Sequence, residues 1–357
     1  MIRGGTSRGV FFNAADMPSE VADRDRVLLA AMGSPHPLQV DGIGGGNPLT
    51  SKVAIVGRST DPRADVDYLF AQVTPERATV DTNATCGNIL SAVGPFAAEE
   101  GLIALDSPTT QIRIRNTNSE TITLATLETP GGRLRYDGNE EMTGSIRPAA
   151  PIRLSFVDAS GALTGRLLPT GKVQEEINGV AVSLVDYAIP VMIVEASQFG
   201  LTGQETAAQI DADRNLFDVV EAIRLEAGQR MGLGDVSKSV VPKVALISPP
   251  CHGGTITSRY LTPWRCHLTH AVTGALCLTA AICIEGTVAN AIVTLSDDAD
   301  RQVNVEHPSG TLRVGLEGNG TELITSVVRT ARMLFRGHVY VPAAAFQSDE
   351  VTGRCIA

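Results

Sequence analysis

"THAVTGALCLTAAICIEG", residues 269–286, is apolar almost all round at helical spacing, and so is "CGNILSAVGPFAAEEG", residues 86–101. A helix without a polar face is buried on every side. Around both runs lie short alternating stretches: "KVAIVG", "VDYLFAQVT", "QIRIRN" and "TITLATLET" in the first half, then "VAVSLVD", "VMIVEA", "KVALIS", "GTITSRYLT", "QVNVEH" and "TLRVGLEG" in the second. Their period of two is that of strands. Strands follow strands here and flank one buried helix in each half, which differs from the βαβα alternation of a doubly wound sheet. The pattern is α+β, with each half wrapping a sheet around a central helix. "CGNILSAVG" and "HAVTGALCL" both open a buried helix on small residues, so the halves read as diverged copies.

At 357 residues the chain has room for two such domains. Pro148, Pro151 and Pro169, with several glycines between them, mark the boundary and give expected domains at 1–165 and 166–357, with central helices from Cys86 and from Thr269. Two amphipathic helices complete the outline. One runs over 19–33, capped by Ser19 and stopped by Gly33; the other spans about 205–230.

A balance of 39 acidic against 29 basic residues, a formal charge of −10, argues against nucleic acid as a partner, and no basic stripe interleaved with aromatics counters it. Apolar content of 43% without an 18-residue apolar run argues against a membrane span. "MIRGGTSRGVFF" has no basic-then-apolar leader, so the expected location is the cytoplasm. The six cysteines form no CxxC pair and no zinc spacing with histidines, so no metal site is expected.

"DGIGGGNPLTSK", residues 41–52, invites comparison with a phosphate loop, but Ser51 precedes Lys52 and Val53 follows it into a strand. That order lacks both the phosphate cradle and the magnesium-binding hydroxyl. The glycines fit a backbone-exposing turn that a ligand can approach, with Lys52 at its rim. Spacing alone fits a solvated strand-edge lysine as well. Asn47, Thr50 and Ser51 add polar density, and Gly4, Gly5, Thr6 and Ser7 form a second cluster of the kind that binds anions. Cys86 opens a buried helix, where free N–H groups stabilise a thiolate, although a structural cysteine fits the same place. Gly87 and Asn88 would let a ligand reach that helix end. His267, His270 and His307 accompany no Ser/His/Asp order. Arg259, Arg265, Arg329 and Arg332 fit carboxylate clamps and surface ion pairs equally.

Taken in order, "MIRGGTSRGVFF", "MGSPHPLQVDGIGGGNPLTSKVAIV", "TCGNILSAVGPFAAEEGLI", "LLPTG", "MGLGDVSKSVVPK", "SRYLTPWRCH", "EHPSG" and "VVRTARMLFRGHVYVP" resemble the PrpF-like isomerases over essentially the whole chain. That family includes methylaconitate and methylitaconate isomerases, aconitate Δ-isomerases and 4-oxalomesaconate tautomerases or Δ-isomerases. The resemblance implies the diaminopimelate epimerase fold, with the active site in the cleft between two similar domains. It also implies cofactor-independent allylic isomerisation of an unsaturated di- or tricarboxylate, with Lys52 as base and Cys86 as acid. Lysine needs a lowered pKa for that work and Cys86 needs its proton.

On this basis the expected substrate-binding residues are Gly5, Thr6, Ser7, Arg8, Asn47, Thr50, Ser51, Gly87, Asn88, Arg265, His267, Thr273, Gly274 and Ser309. The expected partner is a small-molecule polycarboxylate, without nucleic acid, membrane, cofactor or metal; a homo-oligomer is left open. Two departures stand out. Ala271 occupies the place of the second cysteine in epimerases of this fold, which disfavours a two-thiol amino-acid racemase. Arg8 replaces the usual lysine of the first motif and keeps its charge, but a guanidinium suits binding better than proton transfer. "MGSPHPLQVDGIGG" and "VDYLFAQV" favour 4-oxalomesaconate, with aconitate or a methylated relative as the alternative. An accessory protein that binds a polycarboxylate without turning it over is the rival class.

Overall fold

A computed structural model describes residues 1–82, 85–142, 145–262, 264–293, 302–318, 323–346 and 355–356. It is α+β and divides into two compact units, Met1–Leu154 with Val328–Ala357, and Ser155–Val327. The first crossing falls near the boundary read from the prolines. The return of 328–357 to the first unit differs from the sequence reading. Val341 and Ala345 belong to the same hydrophobic cluster as Val27, Leu28, Val53 and Ile55, contacts that no local pattern announces.

In the first unit, Ile2–Gly4 pairs antiparallel with Ser7–Asn13, which runs parallel to Lys52–Arg58. Lys52–Arg58 is antiparallel to Val66–Val73, which runs parallel to Thr109–Asn116, itself antiparallel to Thr121–Glu128. The second unit repeats this sequence of senses. Val180–Tyr187 is antiparallel to Ile189–Glu195, which runs parallel to Lys243–Ser248. Lys243–Ser248 is antiparallel to Ile256–Leu261, which runs parallel to Gln302–His307, and Gly310–Glu317 closes antiparallel.

The helices fall at matching places. In the first unit α1 (Val21–Met32) joins the second and third of these strands, and α2 (Gly87–Leu90) with α3 (Val93–Glu99) joins the fourth and fifth. In the second unit the corresponding elements are α4 (Ala207–Ala212) with α5 (Arg214–Arg230), and α6 (Val272–Ile282) with α7 (Val288–Ile292). The halves are therefore copies in topology. Every residue of α6 from Gly274 to Ile282 is buried, and each leucine in it contributes about 1.5–3 kcal/mol of burial.

Several helix ends differ from the sequence reading. α1 starts two residues after Ser19, with Glu20 at its N-cap, while Gly33 ends it in the left-handed region at φ 75°. The 205–230 helix is two helices, because Asp213 takes extended backbone and turns its carboxylate to the N–H of Leu216. The run from Cys86 also breaks in two. Pro95 has no N–H for the carbonyl of Ser91, and its ring crowds that carbonyl, so the helix restarts at Val93. α6 begins at Val272, leaving Thr269 and His270 in the segment before it.

Candidate active site

Lys52 is the first residue of its strand and lies across from Gln72 on the antiparallel neighbour. Its Nζ donates to Gln72 Oε1 at 2.7 Å and sits 5.3 Å from the centre of the Phe70 ring. Gln72 is itself held, since its Nε2 donates to the carbonyls of Pro48 and Ser51 at 3.1 and 3.0 Å. An amide fixed by two backbone carbonyls can present only its oxygen to the lysine.

The glycine-rich loop before Lys52 closes on a buried amide. Gln39, 1% exposed, accepts from the Gly46 N–H and the Ser51 hydroxyl and donates to Ser34. Asn47 accepts from the Leu49 N–H through its side chain and from Thr50 through its carbonyl. Arg8 ties the loop to the neighbouring strand through an N–H to the carbonyl of Leu49 at 3.0 Å. A Cβ on Gly45 would collide with Thr50 Oγ1 and with the Arg8 guanidinium, so the loop's backbone lies directly against that cation. Arg8 Nε and Ser7 Oγ are buried without a hydrogen-bond partner among the described residues.

The turn at Gly4–Thr6 lies against the start of α2. Gly5, at φ +53°, packs on the Asn88 side chain, and Asn88 Nδ2 donates to Thr6 Oγ1 at 3.1 Å. Gly9 is flanked by Ile89 of α2 and by the carbonyl of Lys52, so one glycine brings the helix to the lysine strand. Cys86 is the N-cap of α2, half-buried, with its carbonyl accepting from Leu90. Behind it lies Tyr68, whose hydroxyl is fully buried and has no hydrogen-bond partner among the described residues. Burial, and then the nearby Cys86 charge, hold that phenol far above its ordinary pKa, so it stays O–H. The first-unit candidates thus form one contiguous cluster. A four-residue α2 gives Cys86 a much weaker dipole than the long helix expected from sequence.

The second-unit candidates gather at the start of α6. His267 Nδ1 accepts from the Thr269 N–H at 3.0 Å, so its proton resides on Nε2 and that edge is a donor. Burial, and after it the charge of Lys243, pull His267 below the ordinary imidazole range. Ser309 donates to the carbonyl of Leu268 at 2.6 Å, fastening the 307–310 turn to this segment. Arg265 is exposed, and Thr273 lies in the first turn of α6. Gly274 is buried under the Tyr260 ring, where it allows the helix to approach its strand. His270 is a packing histidine: it lies 4.5 Å from the Tyr260 ring, donates from Nδ1 to the Ala271 carbonyl, and is pushed by burial to about 3.

Arg259 and His307 line a cavity of about 350 Å³ in the second unit. Arg259 Nε is spent on the Glu205 carbonyl, and Glu306 there accepts from the Thr257 hydroxyl and the N–H groups of Cys251, His252 and Gly254. Among the described residues, no group of three His, Cys, Asp or Glu side chains is placed to hold a metal ion. No described helix is long and apolar enough to cross a membrane. Sequence reasoning missed Gln72, Gln39 and Tyr68. Gln72 becomes visible only through strand register.

A family model described as PrpF protein matches residues 1–342. The chain is 49% identical to "Putative isomerase YbhH" of Escherichia coli over 96% of its own length and 98% of that protein. It is 45% identical to the 4-oxalomesaconate tautomerase of Pseudomonas putida, covering 96% of this chain and 95% of that one. The crystal structure of a methylitaconate-delta-isomerase superposes with a TM-score of 0.90 at 34% identity, over 98% of this chain and 97% of the other.

Proposed function

The chain belongs to the PrpF family and is an isomerase, and from that premise we propose that it moves a carbon–carbon double bond in an unsaturated polycarboxylate, 4-oxalomesaconate first. The observation that carries the substrate choice is the 45% identity to a 4-oxalomesaconate tautomerase across nearly the full length of both chains. Aconitate and its methylated relatives are the alternative, favoured by the 0.90 superposition on a methylitaconate isomerase.

The proposed chemistry needs two protonation partners and a way to hold a carbanion-like intermediate. Lys52, in its amine form, takes a proton from the carbon next to the double bond. Gln72 Oε1 holds one N–H of that amine, which restricts where the lone pair points. The electron pair moves into the conjugated system and the charge spreads onto a carboxylate or keto oxygen. Arg8, Ser7 and the Thr6–Asn88 pair are the donors available to that oxygen. Cys86 then gives its S–H proton to the far carbon of the dienolate, and the double bond has moved by one position. Lysine ends with an extra proton and cysteine with one fewer; exchange with solvent resets both before the next turnover.

An accessory protein that only binds a polycarboxylate needs neither a lysine held by Gln72 nor a thiol at the start of α2. Incubation with 4-oxalomesaconate, cis-aconitate, 2-methylaconitate and methylitaconate in deuterium oxide, followed by NMR, tests the proposal. Label uptake with double-bond migration in at least one supports it; uptake in none overturns it.

A further inference from the structure

The loop that leads into Lys52 is turned inside out at Gln39. Leu38 and Val40, both apolar, are 70% and 75% exposed, while Gln39 between them is 1% exposed. Side-chain hydrophobicity alone favours the opposite arrangement. Gln39 also takes φ 50°, in the left-handed region that a residue with a Cβ enters only at a cost. What this arrangement gives the buried amide is three hydrogen bonds. Its Oε1 accepts from the Gly46 N–H at 2.9 Å and from the Ser51 hydroxyl at 2.5 Å, and its Nε2 donates to Ser34 Oγ at 3.0 Å. A backbone N–H can only donate, so the Gly46 bond fixes which end of the amide faces the loop. Gly44 lies so close to the same amide that a Cβ there would overlap it.

From Gln39 an unbroken set of hydrogen bonds leads to the lysine, all of it inside the first unit. Ser51, fully buried, gives its hydroxyl to Gln39. The Ser51 carbonyl accepts from Gln72 Nε2 at 3.0 Å and from the Val73 N–H at 3.1 Å. Gln72 Oε1 in turn accepts from Lys52 Nζ at 2.7 Å. Ser51 is therefore held on its loop side by Gln39 and on its strand side by Val73, and it is the residue covalently joined to Lys52. Two glutamines far apart in sequence clamp the one serine that precedes the lysine. Through Gly46 the same amide also anchors the stretch in which Gly45 meets the Arg8 guanidinium.

We infer that Gln39 is a positioning residue for Lys52, acting through Ser51 and Gln72. This rests on the reading of Lys52 as the base and adds to it a residue that acts on the lysine only through others. Without the Gln39 oxygen the loop side of Ser51 is released, its carbonyl drifts from Gln72 Nε2, and the Gln72 amide is free to turn. The amine then keeps its place in the sequence and loses its aim. Because the lysine and its charge remain, proton transfer slows while substrate affinity changes little.

The test is a double-variant cycle in kcat and KM: wild type, Gln39→Met, Gln72→Leu and the two combined, on the substrate found by label exchange, with thermal melts to establish folding. Gln39→Met should lower kcat about tenfold with KM changed less than about threefold. Gln39→Glu keeps an oxygen for Gly46 and Ser51 and should recover most of kcat. Ser51→Ala leaves the Gly46 bond in place, so it serves where Gln39→Met folds poorly, and it should lower kcat about threefold to tenfold. In the Gln72→Leu background Gln39→Met should lower kcat less than about twofold, since both act on one lysine. A glutamine that only stabilises the loop would give the full further loss there. That multiplied loss, or folded Gln39→Met and Ser51→Ala with wild-type kcat, would overturn the inference and leave the isomerase reading intact. A wild type that exchanges no label with any substrate would overturn that reading instead.

Discussion

Replacing Gln72 by leucine separates aiming the lysine from merely possessing it. The side chain makes three bonds: it accepts from Lys52 Nζ at 2.7 Å and donates to the carbonyls of Ser51 and Pro48 at 3.0 and 3.1 Å. Leucine has nearly the same volume and makes none of them. The Pro48 carbonyl is exposed and regains water, so the folding cost comes mainly from Ser51 and the lysine, about 1–2 kcal/mol together. That corresponds to a fall in Tm of about 2–8 °C. The catalytic cost is larger, because a base about 1 Å out of line loses up to about a hundredfold in rate. Gln72→Leu should therefore lower kcat roughly ten- to a hundredfold with KM changed less than about threefold. Steady-state kinetics on the substrate found by label exchange, with a thermal melt of the same sample, reads both numbers. A folded Gln72→Leu enzyme with kcat within twofold of wild type would refute the reasoning that Gln72 aims Lys52.

Cys86→Ala should abolish isomerisation by at least about a hundredfold while label exchange at the carbon facing Lys52 persists, since only the acid is lost; NMR in deuterium oxide distinguishes the two steps. Gly5→Val should destabilise the protein by about 1–3 kcal/mol, because the position sits at φ +53° and its Cβ would press into Asn88, and a denaturant titration checks it. Glu306 resists the rise that burial would cause: the Thr257 hydroxyl and the N–H groups of Cys251, Gly254 and His252 bring it to about 2. Its folded value lies below the ordinary 4.5, so its contribution is present above that pH and fades as pH falls toward 2. Glu306→Gln should lower stability at pH 7 and flatten the acid limb between those values in urea melts taken across pH.

The α+β class, the flanking strands and the two buried helices were legible because period two and an all-apolar helical run are local signals. Helix breaks at Ser91 and Asp213 were legible in principle, since a proline and a capping aspartate mark them, but apolar periodicity ran across both. The return of Val341 and Ala345 to the first unit was not, because it depends on contacts about three hundred residues apart in sequence. The same distinction divides the site. Motifs proposed Lys52, Cys86 and the Gly5–Arg8 turn, whereas Gln72 follows from strand register. Gly274 stands at a motif position, and its fit beneath the Tyr260 ring is visible only in three dimensions.

The central claim is that Lys52 removes the substrate proton. The most direct measurement is deuterium uptake from solvent into 4-oxalomesaconate and the aconitates by wild type and Lys52→Ala, each shown to be folded. The account predicts label and double-bond migration with the wild type and at least a thousandfold slower uptake with Lys52→Ala. Uptake by Lys52→Ala at the wild-type rate would contradict it.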